Sequence, residues 1–249
     1  MSMKYEEKRA EIRTYLEQAS FPGKKIPSEK ELAAQFDMNL GMVREVLREL
    51  ETLGIIRKHK RQGNFLNTSV LKTRARLDDN CSFLALIQEQ GYMVRESKRL
   101  RKAPLTLHDA QACQALSCRG REELICLEEV YFASEHPAIL SFFYCPAAHF
   151  GPVDWDRIQN DTNALKEQIA EKTYPYFDHS VIHLTPAIAG REVSEKLDLV
   201  AGAPVLLWEE SYYNIYDELA EVSYNYLNPA YMDMAFVRKR PISMAVQED

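Results

Sequence analysis

The sequence predicts an α+β protein in two parts: a small helical head that ends in a β-hairpin, and a larger unit built on an antiparallel sheet. Three observations predict it. Residues 27–66, "PSEKELAAQFDMNLGMVREVLRELETLGIIRKHKRQGNFL", place two helix starts, a short turn and a basic hairpin in one stretch. Charge divides along the chain: residues 1–76 hold 16 Lys/Arg against 10 Asp/Glu, and the remainder holds 15 against 27. Beyond residue 80, strand-like segments come in pairs with short helical segments between them, the pattern of an α+β domain.

The head is justified element by element. "KYEEKRAEIRTYLEQASF" places Tyr5, Ile12, Tyr15, Leu16 and Ala19 near one helical face, and "PGKK" ends that helix. "PSEKE" opens a second, short helix over about 29–36, with Ser28 and Glu31 spaced for a capping box and Leu32, Ala33 and Phe36 turned inward. "DMN" is a tight turn, and Asn39 is a good N-cap for a third helix that runs to about Leu53. Val43, Val46, Leu47, Leu50 and Leu53 form its core face, and Gly54 is its left-handed stop. Gly41, Met42, Arg44, Glu45 and Arg48 lie opposite the core. "IIRKH" and "NFLN" flank "KRQG" as a hairpin that carries Arg57, Lys58, Lys60 and Arg61. Two helices joined by a three-residue turn form a helix-turn-helix, whose second helix presents its first residues to the major groove of DNA. The basic hairpin is then a wing, its cations set against phosphates. The plainer reading is a helical domain with a solvated basic loop, and the charge division weighs against it.

At these residues the chain resembles the GntR family of winged-helix bacterial regulators, whose pattern runs PSERELA, then VSRTTVREAL, then a GxGTFV wing. The resemblance covers Pro27 to Leu66. It implies that Lys30, Asn39, Gly41, Met42, Arg44 and the wing residues Gln62, Gly63 and Asn64 lie where relatives touch DNA, and Ser28, Arg48 and Arg61 are further DNA-binding candidates beside them. Leu40 stands where the family has a base-contacting Arg, Gly41 and Met42 replace two Thr, and Arg61 replaces the first wing Gly. Arg to guanine is the commonest specific contact. The operator is therefore expected to differ from the family's usual half-site, with the wing cations sustaining affinity through phosphates.

Residues 67–80, "NTSVLKTRARLDDN", read as a linker with a possible strand. "SFLALIQEQGY" is a helix, "MVRESKRLRKAPL" a strand, and "TLHDAQACQALSC" a helix capped near Thr106. "ELICLEEVYFASEHPAILSFFYCP" is a hairpin turning at "SEHP". "TNALKEQIAEKT" is a helix, "YFDHSVIHLTPAIAG" a strand, "REVSEKLDLV" a helix, and "APVLLWEESYYNIYDELAEVSYNYLNP" a second hairpin turning near "IYDE". This order, with "GAPVLL" before a hairpin as its most recognisable piece, resembles the UTRA effector-binding domain of HutC-like GntR regulators, a chorismate-lyase-like fold. The expected domains are a winged helix over 1–68, a linker over 69–80 and a UTRA domain over 81–245.

The resemblance implies a pocket. Ser82 would cap a helix that holds a phosphate, Asn163 would match a second Ser of that site, and Glu221 would meet a sugar. Two phosphate-clamping arginines of sugar-phosphate-sensing relatives fall at Glu129 and Tyr131, and Ser141 replaces a family Glu. A carboxylate in a site tuned for a dianion is repulsive, so the effector is expected to be neutral or cationic rather than a typical sugar phosphate. Arg99 and Arg101 are the candidates for an anion site rebuilt from elsewhere, with a solvated edge as the plainer reading. Glu129 is weighed against an ordinary solvated strand residue. Trp208, Tyr212, Tyr213, Tyr216, Tyr224 and Tyr226 are divided between sheet core, dimer seam and pocket wall.

Other chemistry finds little support. His179 and His183 have a zinc-like spacing for a helix but sit in a strand pattern, which spreads them about 13 Å apart. No GxSxG, P-loop or GxGxxG occurs, and Glu128 and Glu129 point to opposite faces of a strand. No cofactor or metal is expected, and an enzyme on a chorismate-lyase-like fold with a DNA-targeting head is the alternative. No apolar run is long enough to span a membrane, and the N-terminus lacks a signal-peptide core. The odd set Cys81, Cys113, Cys118, Cys126 and Cys145, without a CxxC pair, suits a reducing cytoplasm. The expectation is a cytoplasmic homodimeric regulator, more a repressor than an activator, with a near-palindromic DNA operator and a small-molecule effector.

Overall fold

The computed structural model describes residues 3–78, 82–100, 107–118, 124–150 and 177–239. The chain divides into two compact units, Met1–Cys81 with Met234–Asp249, and Ser82–Asp233.

The first unit contains α1 (Met3–Gln18), a 3-10 turn at Pro22–Lys24, α2 (Glu29–Gln35), α3 (Leu40–Thr52), β1 (Ile56–His59), β2 (Gly63–Leu66) and a single helical turn, α4 (Thr68–Leu71). Helical spacing puts Ile12 and Leu16 of α1, Leu32 of α2, and Val43, Val46, Leu47 and Leu50 of α3 into one core with Ile26, Ile55 and Leu66. Met42 also packs partly against this core, so it does not lie wholly on the outer face of α3 as its spacing suggested. Tyr5 donates to Glu49 Oε2 at 3.2 Å, tying α1 to α3. Burial and that carboxylate push the Tyr5 phenol up to about 12. β1 and β2 pair antiparallel from Ile56–Leu66 to His59–Gly63, and Lys25 adds one bridge to Phe65.

The stretch after the hairpin is more ordered than a polar linker. Besides α4, Ala75 accepts from Ala235 N, and Arg76 bridges in parallel to Ala235. Arg76 is only 2% exposed. The described residues 234–239 thus belong with the first unit, whereas the sequence reading ran the second domain on to 245. The physical reason is pairing: residues 235–237, with no helical or strand period of their own, find their hydrogen bonds on residues 75–78.

The second unit contains α5 (Phe83–Glu89), β3 (Val94–Leu100), α6 (Leu107–Ala115), β4 (Leu124–Ala133), β5 (His136–Pro146), β6 (Phe177–Ile188), α7 (Arg191–Leu197), β7 (Pro204–Asn214) and β8 (Leu219–Leu227). A 3-10 turn at Ala147–Phe150 follows β5. The sheet runs β3-β4-β5-β8-β7-β6, with every neighbouring pair antiparallel. Both expected hairpins form, β4–β5 through a two-residue turn at Ser134 and Glu135 and β7–β8 around Ile215–Glu218. The helix expected over "TNALKEQIAEKT" lies outside the described residues.

Strand alternation gives the sheet two different faces. One carries Leu124, Cys126, Val130, Leu140, Phe142, Tyr144, Val222, Tyr224 and Tyr226, packed with Ala112 of α6 and Val193 and Leu197 of α7. Glu128 also lies on this face, 2% exposed, and accepts from Arg99 Nη2 and Lys196 Nζ at 2.7 Å each. Burial pushes its carboxyl up, but the two cations outweigh that and leave it below the usual carboxylate range. A depressed carboxyl stabilises the fold above its unfolded pKa, and that contribution is lost as pH falls through the folded value. Glu128→Gln is therefore expected to cost about 2 kcal/mol near neutral pH. In chemical denaturation the gap between variant and parent narrows in acid; a gap independent of pH would refute the assignment.

Candidate DNA-reading surface and effector face

The head aims its helices through their caps. Ser28 N–H donates to Glu31 Oε2 at 2.7 Å and Glu31 N–H returns to Ser28 Oγ at 3.4 Å, the reciprocal box expected from the sequence. Asn39 Oδ1 accepts from Met42 N–H at 2.8 Å and fixes the first turn of α3. A Cβ at Gly41 would stand 3.2 Å from that same Oδ1, so the absence of a side chain keeps the cap uncrowded. Ser28, Lys30, Asn39, Gly41, Arg44, Arg48, Arg61, Gln62 and Gly63 are all exposed, with Asn64 half-buried. Leu40, at the position of the family arginine, is 37% exposed at the start of α3.

Two features were not legible in the sequence. Arg44 Nε donates to Glu29 Oε2 at 2.7 Å, so a carboxylate of α2 holds the guanidinium of α3. Arg44, Arg48, Lys58 and Asn64 share one cleft with Glu29 and Glu51, where α2, α3 and the wing meet. The contact spans 15 residues, and no local spacing rule announces it. In the wing, Arg57 is engaged internally: its Nη1 donates to Asn67 Oδ1 at 2.8 Å and its guanidinium lies 6.0 Å from the Phe65 ring centre.

Arg61 has φ +67°, a left-handed conformation that explains why relatives place glycine there. The chain accepts that strain and gains a cation at the wing tip. Arg61→Gly is expected to stabilise the head by about 1 kcal/mol. The same change weakens DNA binding and lowers the salt slope by about 1. Thermal melts and salt-dependent anisotropy titrations check the two halves separately.

The other face of the large sheet is polar and aromatic. Register sets Glu129 opposite Ser141, Ser141 opposite Asn225, and Asn225 opposite Trp208. Tyr212 faces Glu221 four pairs further along the same two strands. Glu129, Tyr131, Ser141, Glu221 and Asn225 are all at least nine-tenths buried. Tyr131 OH donates to Glu129 Oε2 at 2.9 Å, and Ser141 Oγ donates to Asn225 Oδ1 at 2.6 Å. Asn225 Nδ2 donates to the Trp208 carbonyl at 3.0 Å, and Trp208 Nε1 to Glu210 Oε2 at 3.0 Å. Burial and the Glu129 charge raise the Tyr131 phenol far above its ordinary value, so it stays a donor. Ser82 caps α5 through Ala85 N–H at 3.2 Å. The next residue, Phe83, meets the rings of Tyr131 and Trp208 edge-on, with centroids 5.6 and 5.3 Å away. Ser82 therefore stands at the start of the helix that covers this face, but is itself exposed.

The expected residues divide. Glu129, Tyr131 and Ser141 lie side by side, Glu221 shares their face four residues away from Asn225 along β8, and Glu129 is not a solvated strand residue. Arg99 does not join them, because pleating turns it to the opposite face with Glu128 and Lys196. Arg101 and Asn163 lie outside the described residues. The hairpin aromatics divide too: Trp208 and Tyr212 go to the polar face, and Tyr224 and Tyr226 to the core. Tyr213 stacks on His179, and Tyr216 is exposed at the tip. His179 and His183 both lie on β6, and among the described residues no group of three or more acidic, His or Cys side chains could hold a metal.

The model of the gntR family of bacterial regulatory proteins matches residues 4–66, and that of the UTRA domain matches residues 91–233. The chain belongs to the GntR regulators that carry a UTRA domain. It is similar to the solved structure of YydK from Bacillus subtilis, described as a possible transcriptional regulator, with 20% identity and a TM-score of 0.68 over 96% of this chain and 100% of that one. It is also similar to PhnF from Mycobacterium smegmatis, with 19% identity and a TM-score of 0.51 over 94% and 99%. At these identities the likeness is one of fold. This GntR–UTRA regulator thus joins a DNA-binding winged helix to a ligand-binding domain. Among its described residues no helix is long and apolar enough to cross a membrane.

Proposed function

We propose that the protein is a cytoplasmic repressor, of the HutC-like kind, that binds a near-palindromic operator as a homodimer and responds to a small molecule seated on the polar face of its sheet. The observation that carries the reading is the Asn39-capped α3, which presents Arg44 and Arg48 in one cleft with the wing residues Lys58 and Asn64. Side chains at the start of such a helix reach base edges, while wing cations meet phosphates. The exposed start of α3, with Leu40 in place of an arginine, supports an operator that differs from the family's usual half-site. A dimer is supported by the outer strand β6, whose Val181, Ile182 and Leu184 are exposed. Two-fold symmetry then sets the spacing of the half-sites.

For the effector, the support lies in two carboxylates, Glu129 and Glu221, on a sheet face walled by Tyr131, Trp208 and Phe83. Such a surface repels a phosphate dianion and suits a neutral or cationic ligand. The effector acts by binding two arrangements of the dimer with different affinity.

Arg44→Ala is expected to cost about 1–3 kcal/mol of binding to the DNA upstream of the protein's own gene. Failure of the unaltered protein to bind that region at low ionic strength would overturn the regulator reading. In a thermal-shift screen, an amine or neutral metabolite at saturation is expected to raise the melting temperature by about 5 °C, and Glu129→Gln to abolish the rise. Hits confined to sugar phosphates would refute the assigned ligand class.

A further inference from the structure

Helix α3 closes its last turn locally, with Gly54 N–H donating to the Glu51 carbonyl at 3.0 Å and Ile55 N–H to the Leu50 carbonyl at 2.9 Å, but it brings no cation of its own to that end. A helix leaves its last carbonyls without internal donors, and its C-terminus favours cations. The last turn of α3 contains no basic residue and carries Glu49 and Glu51. The missing cations arrive from two distant places. Arg76 Nη2 donates to the Leu53 carbonyl at 2.7 Å, while its guanidinium is held by Asp78 Oδ1 and Oδ2 at 3.1 and 2.6 Å. Lys239 Nζ donates to the Glu51 carbonyl at 2.6 Å and also to the Thr52 carbonyl. Gly54 makes room for this approach as well as for its own φ of +73°: a Cβ there would fall 2.7 Å from Lys239 Cε.

Both cations lie on the two segments through which the chain leaves the first unit and returns to it. The outgoing segment carries Arg76 and leads to Ser82, the N-cap of α5. The returning segment begins where Asp233 N–H donates to Gln90 Oε1 at 2.7 Å, and Gln90 is the C-cap of α5. It then pairs Leu77 N–H with the Ala235 carbonyl at 2.8 Å and Val237 N–H with Asp78 Oδ1 at 3.2 Å before reaching Lys239. The C-cap of α5 is therefore hydrogen-bonded to Asp233, the residue from which the chain runs on to Lys239 and the C-terminal turn of α3.

We infer that residues 234–239 form a coupling strap and that Lys239 is a positioning residue for α3, transmitting displacement of α5 to the DNA-reading helix. The inference rests on the regulator reading above. Its two-state element is the last turn of α3, gripped or released. A ligand that moves Phe83 against Tyr131 and Trp208 moves α5, and with it Gln90 and the strap. Coupling of this kind is reciprocal, so DNA at α3 must also alter α5.

Reciprocity allows a test without the effector. Hydrogen exchange is followed in the full-length protein, with and without a saturating duplex that spans the region upstream of its own gene. In the unaltered protein the duplex is expected to change exchange of the α5 amides, Phe83–Glu89, by about fivefold or more. Lys239→Ala is expected to weaken DNA binding by about two- to fivefold. At saturating duplex that variant loses the α5 response, while Lys239→Arg restores it. A merely structural lysine would change affinity and leave the α5 response in place. Persistence of the response in Lys239→Ala, or its absence in the DNA-bound parent, overturns the strap. No DNA binding by the parent overturns the regulator reading itself and the inference with it.

Discussion

Helix α3 can serve as a reading element only if both of its ends are held by groups outside it, because four backbone donors and four acceptors are otherwise left to water. Its first turn is held locally, by Asn39. Its last turn is closed by the backbone of Gly54 and Ile55 and is clasped in addition from far away, by Arg76 and Lys239. That asymmetry orders the rest of the first unit. Local capping fixes the start of the helix, and the distant cations tie its far end to Arg76 and Lys239 on the segments that leave and re-enter the first unit. Gly54 and Leu53 sit where these demands meet.

A second constraint is the period of two in the large sheet. Neighbouring residues on β4 have opposite fates: Glu128 is locked by two cations beneath α7, and Glu129 is turned toward Tyr131 and Ser141. The same pleat that ties Glu128 to two cations turns Glu129 into the polar face. Asn225 links the strands of the second face, accepting from Ser141 and donating to the Trp208 carbonyl. The rings on that face are therefore held by a hydrogen-bonded base as well as by packing. Buried polar networks of this sort specify a single arrangement when they are satisfied.

Local rules were sufficient wherever the determinant was a spacing. Ser28 with Glu31, Asn39 before an apolar helix and Gly54 after it produced caps at the expected positions. Alternation in the two hairpins produced β4–β5 and β7–β8. The pairing of Glu129 with Tyr131 on one face follows from the same alternation. Where a determinant joined residues far apart, spacing said nothing. Glu29 and Arg44 look like ordinary exposed helix charges until α2 folds against α3. Arg99 looks like a pocket cation until the pleat sends it to Glu128.

By itself, the sequence determined the two-part α+β architecture, the winged head and the family, because each rests on periodicity, capping or motif over short distances. Only the tertiary structure decided that residues 234–239 return to the first unit, that Arg76 is buried, and that Arg76 and Lys239 both reach the end of α3. The reason is physical. Backbone carbonyls at a helix end have no fixed partner in sequence, and the cation that reaches them is chosen by where the folded chain happens to pass.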